Sequence, residues 1–596
     1  MNSEIKICQN CKNKFTIEPE DFEFYEKIKV PAPTFCPECR MQRRLSWRNE
    51  KFLYRRKCDA CSKDIISIYH QDSPYTVYCQ KCWWSDDWDP LAYGRKYDFS
   101  KPFFVQFNDI LKSIPRLCLI NANSVNSEYT HLAADSKDCY LLFESSNNER
   151  CDYSYWMQQS NDCVDCSFVN NSELCYETLI TWNCYKLFYS KECRDCSDGL
   201  FLLDCVGCSD CYGCVGLRNK KYHIFNQSYL KEEYFKILEE KKKELFEGGI
   251  DYLREEFNKF ALQYRNKYAY IQKAVDSSGN YLLNVKNCKF CFHGYDAEEC
   301  KYGYHVWRNS KDNMDVCTVG RDAQLIYETI NTGMSIYDVK FGIQNWNGNN
   351  NLQYSEACSS SQNLFGCSAL RSKQYCILNK QYSKKDYELL MGKIIKHMEG
   401  TPYVNDKGHI YKYGEFFPLE FSFFAYNETS ANDHFPLSKE IASKNGYRWK
   451  EKEQRNISPT LNYSELSKYD KDIPDSLVSE IISCGNGGRE NYCTVVFKFI
   501  PRELQFYKKM GLPLPRLCPN CRHYQRIKQR NPLKLWHRQC QCQGQTGNNS
   551  NNPNIYQNTI AHTYGNQPCP NEFETTYAPD RPEIVYCEQC YQQEVV

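Results

Sequence analysis

The segment from Cys11 to Cys58 recurs without a gap as Cys493 to Cys540, displaced by 482 residues. In that register Phe24, Tyr25, Cys36, Pro37, Cys39, Arg40, Arg44 and Arg48 meet Phe506, Tyr507, Cys518, Pro519, Cys521, Arg522, Arg526 and Arg530. The repeat resumes after an insertion: Cys61, Tyr69, Tyr78, Cys79 and Cys82 match Cys569, Tyr577, Tyr586, Cys587 and Cys590, displaced by 508. The 26 extra residues fall in a tract rich in asparagine around Asn548, Asn549, Asn551 and Asn552, too polar to bury, which reads as a flexible loop. A chain of 596 residues with one cysteine-rich module at each end folds as several units, three to five by size alone.

The 37 cysteines point to a reducing cytosol rather than a disulfide framework, because the count is odd and Met1 opens no basic-then-apolar leader. Many fall as CxxC pairs, a spacing that suits two thiolates on one metal ion. No apolar run approaches the roughly 18 residues of a membrane helix, so the reading is a cytoplasmic chain without a membrane partner. Net charge is +1, yet Cys484 to Cys540 holds twelve Lys and Arg against two Asp and Glu, and the remainder holds one against six.

Two knuckles a few tens of residues apart supply four thiolates for a tetrahedral Zn²⁺, and metal binding then provides folding energy that so small a core lacks. The predicted sets are Cys8, Cys11, Cys36, Cys39; Cys58, Cys61, Cys79, Cys82; Cys484, Cys493, Cys518, Cys521; and Cys540, Cys569, Cys587, Cys590. About four Zn²⁺ follow. In the third set the first knuckle has widened to C-x8-C, and in the fourth Cys542 competes with Cys540, which the ungapped register favours. The competing reading is reduced cysteine in a small core.

The stretches DFEFYEKIKVPAPTFCPECR and ELQFYKKMGLPLPRLCPNCR resemble the bacterial family named "probable zinc-ribbon domain", over roughly 40 residues at each end. The whole chain resembles large cysteine-rich zinc-ribbon proteins of uncultivated small-genome bacteria, some of which carry a CaiB/BaiF label. A CoA-transferase would need alternating strand and helix patterns, and none is visible. The ribbon resemblance implies a binding role and leaves the partner open.

Arg40, Arg43, Arg44 and Arg48 follow Cys39, and Arg522, Arg526 and Arg530 follow Cys521, three or four residues apart, so that each group forms one stripe on a helix. With Trp47, Tyr54, Tyr524 and Trp536 among them, the stripes carry the equipment for phosphate contact and base stacking. Three readings stand: nucleic acid, a solvated face paired with Glu572, Glu574, Asp580 and Glu583, or a protein partner. Oligomeric state is left open.

Between the modules one spacing recurs: Cys163, Cys184 and Cys205 are 21 apart, as are Cys193 and Cys214. Short β-favouring segments broken by Asn, Asp, Ser and Gly predict stacked coils with inward cysteines. A second array matches the first, Cys288 and Cys300 with Cys139 and Cys151 at 149, and Cys358 and Cys367 with Cys205 and Cys214 at 153. Cys205, Cys208, Cys211 and Cys214 spell a ferredoxin-like run, but the duplicate keeps only its outer cysteines, which favours core packing over a cluster. The predicted fold is mainly β with helical connectors, a duplicated parallel β-helix-like solenoid flanked by paired treble or zinc-ribbon modules. Its divisions are 1–98, 115–226, 227–276, 277–382, 383–475 and 476–596, with the insertion at 543–568. The two modules are expected to share one fold and to pack against each other across the solenoid ends.

No HExxH, GxSxG or phosphate-loop motif appears, and no column of stacked acids is visible on the solenoid. The run Trp83 to Asp89 reads as a Trp-filled core edge with Asp turn residues in preference to a cation or sugar site. The leading expectation is a zinc-stabilised, non-enzymatic scaffold or binding protein. The alternative is a solenoid enzyme acting on a glycan or nucleic acid.

Overall fold

In the first half of the central region, a left-handed residue at every third position sets the chain path. From Asp162 through Asp165, Phe168, Asn171, Leu174, Glu177, Ile180, Asn183 and Lys186 to Tyr189, φ lies between 47° and 59°. Each such residue turns a corner, and the residue after it points inward: Cys163, Cys166, Val169, Cys175, Cys184 and Leu187 are all buried. Asn and Asp tolerate these corners best, which explains why they punctuate the short strands.

Four three-residue sides close one coil. Tyr155, Ser167, Leu179 and Lys191 accordingly pair in parallel, one above the other, 12 residues apart. The 21-residue spacing of the cysteines is therefore not the coil. Twenty-one is a multiple of three, so it returns a residue to the interior at a different corner. The run Cys205, Cys208, Cys211, Cys214 is four successive inward positions of a single coil.

The computed structural model describes residues 2–247, 249–452, 457–490, 492–544 and 556–595, and it is mainly β with several helices. The first stack contains a seven-stranded sheet from Asn121–Ala122 to Lys191–Arg194 and a five-stranded sheet from Tyr185–Phe188 to Gln227–Ser228. The second is an eleven-stranded sheet from Ile271–Val275 to Lys380–Gln381. Apart from the terminal hairpin turns of the last two sheets, pairing is parallel, in a solenoid-like arrangement. In the second stack Glu298, Lys311, Gln324, Tyr337 and Asn350 pair 13 residues apart, then Asn350, Gln362 and Gln374 pair 12 apart. Four coils each hold one extra residue, which is why the match between the arrays drifts from 149 to 153.

Helices Lys231–Glu247 and Ile250–Ala261 follow the first stack and Lys384–Gly400 follows the second, with Tyr234 and Tyr387 buried at the junctions. Among the described residues no helix is long and apolar enough to cross a membrane. The asparagine-rich part of the insertion, 545–555, lies outside the described residues.

The terminal modules repeat the same elements: helices Pro19–Lys27 and Pro37–Leu45 correspond to Pro501–Met510 and Pro519–Ile527, and hairpin Tyr54–Lys57/Asp64–Ser67 to Trp536–Gln539/Glu572–Thr575. Each module also forms one parallel strand pair with the segment that leads into a stack. Val77–Tyr78 pairs with Arg116–Leu117, and Ile584–Tyr586 with Arg265–Lys267. The modules touch through Lys51 Nζ, 2.7 Å from His523 Nε2, and Lys534 Nζ, 2.9 Å from Glu38. In these contacts Glu38 and His523 belong to the arginine-bearing helices Pro37–Leu45 and Pro519–Ile527.

Candidate metal centres and the arginine helices

The sixteen cysteines named from spacing gather into four clusters, each with its sulfurs within 4.8 Å of one another. One construction serves all four. The backbone N–H of the third cysteine donates to the sulfur of the first: Cys36 to Cys8 at 3.3 Å, and Cys79 to Cys58, Cys518 to Cys484 and Cys587 to Cys540 at 3.2 Å. Cys36, Cys79 and Cys518 also occupy helix N-cap positions, and Cys79 accepts there from the Cys82 N–H. Cys484 joins its set despite the widened knuckle, through the hairpin that pairs Ile482 with Phe497.

The sulfur separations test what these clusters can hold. A tetrahedral Zn²⁺ with bonds of about 2.3 Å sets thiolates about 3.8 Å apart, whereas a disulfide needs about 2.05 Å. The observed edges are 3.8 Å for Cys11–Cys36 and 3.9 Å for Cys61–Cys79, Cys484–Cys521 and Cys569–Cys587. All 37 cysteines are unbridged. Neighbouring thiols pull Cys493 down to about 6 and Cys587 to about 4, the bonds from Cys484 and Cys540 contributing most.

The cysteines of the stacks are satisfied differently. Most donate to the carbonyl two residues back and many also to one nine ahead, as Cys163 does to Asn161 at 3.2 Å and Ser172 at 3.7 Å. Cys205, Cys211 and Cys214 repeat the pattern, and Cys208 makes its first bond. The four do not form one of the converging groups that mark the module clusters.

The arginine stripes do not face solvent. Arg40, Arg43, Arg44, Arg48, Arg522 and Arg526 are each at most 2 % exposed, and Arg530 is half-buried. Arg40 Nη2 lies 2.8 Å from Asp315, Arg44 Nη1 2.7 Å from Glu328, and Arg43 bridges Glu328 and Glu415 at 2.9 Å each. Arg48 reaches Glu144 at 2.6 Å and Glu50 at 2.5 Å. In the C-terminal module Arg522 lies 2.7 Å from Asp165 and 3.0 Å from Glu503, and Arg526 2.9 Å from both Asp165 and Glu177. Arg530 stacks 4.2 Å over Phe168.

Burial by itself would depress Arg522, but Asp165, Tyr507 and Glu503 outweigh it and hold its pKa well above the ordinary value. Burial pushes Glu177 and Glu328 upward against the pull of Arg526 and Arg44. Buried and ion-paired, Arg40, Arg43, Arg44, Arg48, Arg522 and Arg526 have no face to offer a strand, which corrects their reading as a phosphate-binding surface; Arg530 is half-buried and packs against Phe168 and the Tyr304 hydroxyl. Nor do Glu572, Glu574 or Glu583 neutralise them: the first two engage His537 and the third Arg581. Stacked acids do exist, Asp165 below Glu177 and Asp315 below Glu328, each covered by an arginine helix.

The tryptophan run behaves as a core edge. Trp83 is buried, Asp89 accepts from the Leu91 N–H at 2.9 Å, and Arg371 stacks against Trp83, Trp84 and Trp88.

Comparison with protein families returns no match, and comparison with curated proteins returns none. Among solved structures, similarity is found to a "putative acetyltransferase" from Desulfovibrio desulfuricans G20, with 10 % identity over 49 % of this chain and 75 % of that one, at a TM-score of 0.10. A likeness that weak carries no argument about fold or function.

Proposed function

We propose that this protein is a zinc-stabilised, non-enzymatic scaffold, in which paired zinc-ribbon modules lock a duplicated parallel β-helix into one body. The carrying observation is the common construction of the four-cysteine clusters, each with its sulfurs within 4.8 Å of one another and one edge of 3.8–3.9 Å, and each adjoining an element that grips a stack. The ions supply the local folding energy, and the helices seeded at Cys36 and Cys518 carry the arginines into the stacks. A nucleic-acid partner held through those arginines loses its support, and a protein partner is the reading that remains. A glycan- or nucleic-acid-cleaving solenoid would need its stacked acids open to a groove, and arginines cover them here.

The test is metal analysis of full-length protein purified anaerobically, followed by chelation. The scaffold reading expects at least four thiolate-bound Zn²⁺ per chain and loss of cooperative unfolding when a strong chelator removes them. Fewer than four, or an unfolding transition unmoved by complete removal, overturns it.

A further inference from the structure

Cys542 stands two residues beyond the ligand Cys540 but faces a different group. Its sulfur lies 3.3 Å from His562 Nδ1, and these two atoms and the Cys590 sulfur all fall within 4.8 Å of one another. On the far side of the ring His562 Nε2 is 2.8 Å from Glu594 Oε1, and both side chains are fully buried. Glu594 is in turn held by the Thr559 N–H at 2.9 Å. A carboxylate that accepts from Nε2–H leaves the Nδ1 lone pair directed at Cys542 and Cys590, and this outer-shell arrangement is the usual support of a metal-binding histidine.

The N-terminal module provides an internal contrast. Ala60 occupies the position of Cys542 in the 482 register, and nothing corresponds to His562, which lies in the insertion. The insertion thus brings a histidine, and the module a second cysteine, to the one cluster where a spare pair of donors meets a shared thiolate. A Cys–His–Glu array could also be a nucleophile with its base. Full burial of Cys542 argues against that, since no substrate reaches its sulfur. A Zn²⁺ with bonds of about 2.3 Å to sulfur and about 2.0 Å to nitrogen holds the two roughly 3.5 Å apart, close to the separation observed.

We propose that the C-terminal module holds a fifth metal ion, a Zn²⁺ bound by Cys542, His562 and Cys590, with the Cys590 thiolate bridging it to the ion of the Cys540, Cys569, Cys587, Cys590 set. The three protein donors leave one position for water. The inference rests on the zinc reading of the four-cysteine sets, and the experiment separates the two. Elemental analysis of full-length protein should give five Zn²⁺ per chain; Cys542→Ser and His562→Gln should each give four, and His562→Cys, which restores a ligand, five. Four in the wild type, unchanged by Cys542→Ser, overturns the fifth site and leaves the four-cysteine sets intact, whereas fewer than four overturns the reading of those sets itself. Cobalt replacement of the wild type provides a readout independent of variant folding. Magnetic moment per ion should fall as the fifth site fills, because a thiolate bridge couples the pair; five magnetically independent ions would overturn the bridge.

Discussion

Arg526 Nη1 lies 2.9 Å from Asp165 Oδ1 across 361 residues of chain, and its repeat equivalent Arg44 lies 3.2 Å from Asp315 Oδ1 in the other half of the molecule. The docking is crossed. The N-terminal helix enters the second stack and the C-terminal helix the first, while Val77–Tyr78 and Ile584–Tyr586 attach to the opposite stacks, at Arg116–Leu117 and Arg265–Lys267. Each module therefore holds both stacks. The receiving sites correspond: the column Tyr153, Asp165, Glu177, Tyr189, Phe201 matches Tyr302, Asp315, Glu328, Phe341, Tyr354, all at left-handed corners. Arg522 stacks on Tyr153 at 4.8 Å as Arg40 does on Tyr302 at 5.4 Å.

Removing one partner of this pairing leaves a buried charge uncompensated. Arg526→Leu leaves Glu177 with only the more distant Arg254, at 3.7 Å, and Asp165 with Arg522, and should lower unfolding free energy by about 3 kcal/mol. The double replacement Arg526→Leu with Glu177→Leu should recover part of the loss, because it removes both charges. Denaturant titration of the single and double variants measures the coupling. In parallel, filter binding at several salt concentrations should find no nucleic-acid affinity that depends on Arg522, Arg526 or Arg530; an affinity whose salt slope falls in the triple Ala variant would contradict the buried pairing.

Cysteines of the two kinds should respond differently to replacement. Cys518→Ser breaks a four-cysteine set and should lower metal content by one ion, with destabilisation of the Pro519–Ile527 helix it caps. Cys208→Ala removes only an inward thiol from a full coil, at a cost of about 1 kcal/mol, with metal content unchanged. Loss of an ion from Cys208→Ala would move that run from core to ligand.

What could be read in the sequence divides by range. Metal sets impose short, fixed spacings, so the cysteine partners were legible down to Cys540. The coil length was not, because any multiple of three keeps a residue inward, and 21 satisfies that as well as 12. The acid columns were hidden by drift. Tyr153, Asp165, Glu177, Tyr189 and Phe201 meet their counterparts at 149, 150, 151, 152 and 153, so no single displacement aligns them. A stripe of arginines on a helix reads alike whether it meets water or a buried carboxylate, and only the missing column could have told the difference. His562 went unread because its partners are Cys542, 20 residues away, and Glu594, 32 away, neither in a recognised spacing.

Buried histidines set the expected pH response. Burial, with repulsion from Arg48, pulls His131 down to about 3, and burial likewise holds His293, His305 and His434 well below the ordinary value. His305 Nδ1 lies 3.4 Å from Glu144, which would favour protonation, but Arg48 already neutralises that carboxylate at 2.6 Å. Because these folded-state values lie below the unfolded value near 6.5, the unfolded chain takes up protons that the folded chain refuses. Stability should be fully present above about pH 6.5 and fall as pH drops toward 3, by roughly 1.4 kcal/mol per pH unit for each such histidine. Urea unfolding at pH 7.5, 6.5 and 5.5, with metal content measured on the same samples, should show the decline before any ion is lost. His131→Asn should flatten it by about one histidine's share. Because the raised carboxyls of Glu177, Glu328 and Asp152 shift stability in the opposite sense, the decisive comparison is between wild type and His131→Asn: identical pH profiles with metal retained would mean that the His131 ring is protonated in the folded state.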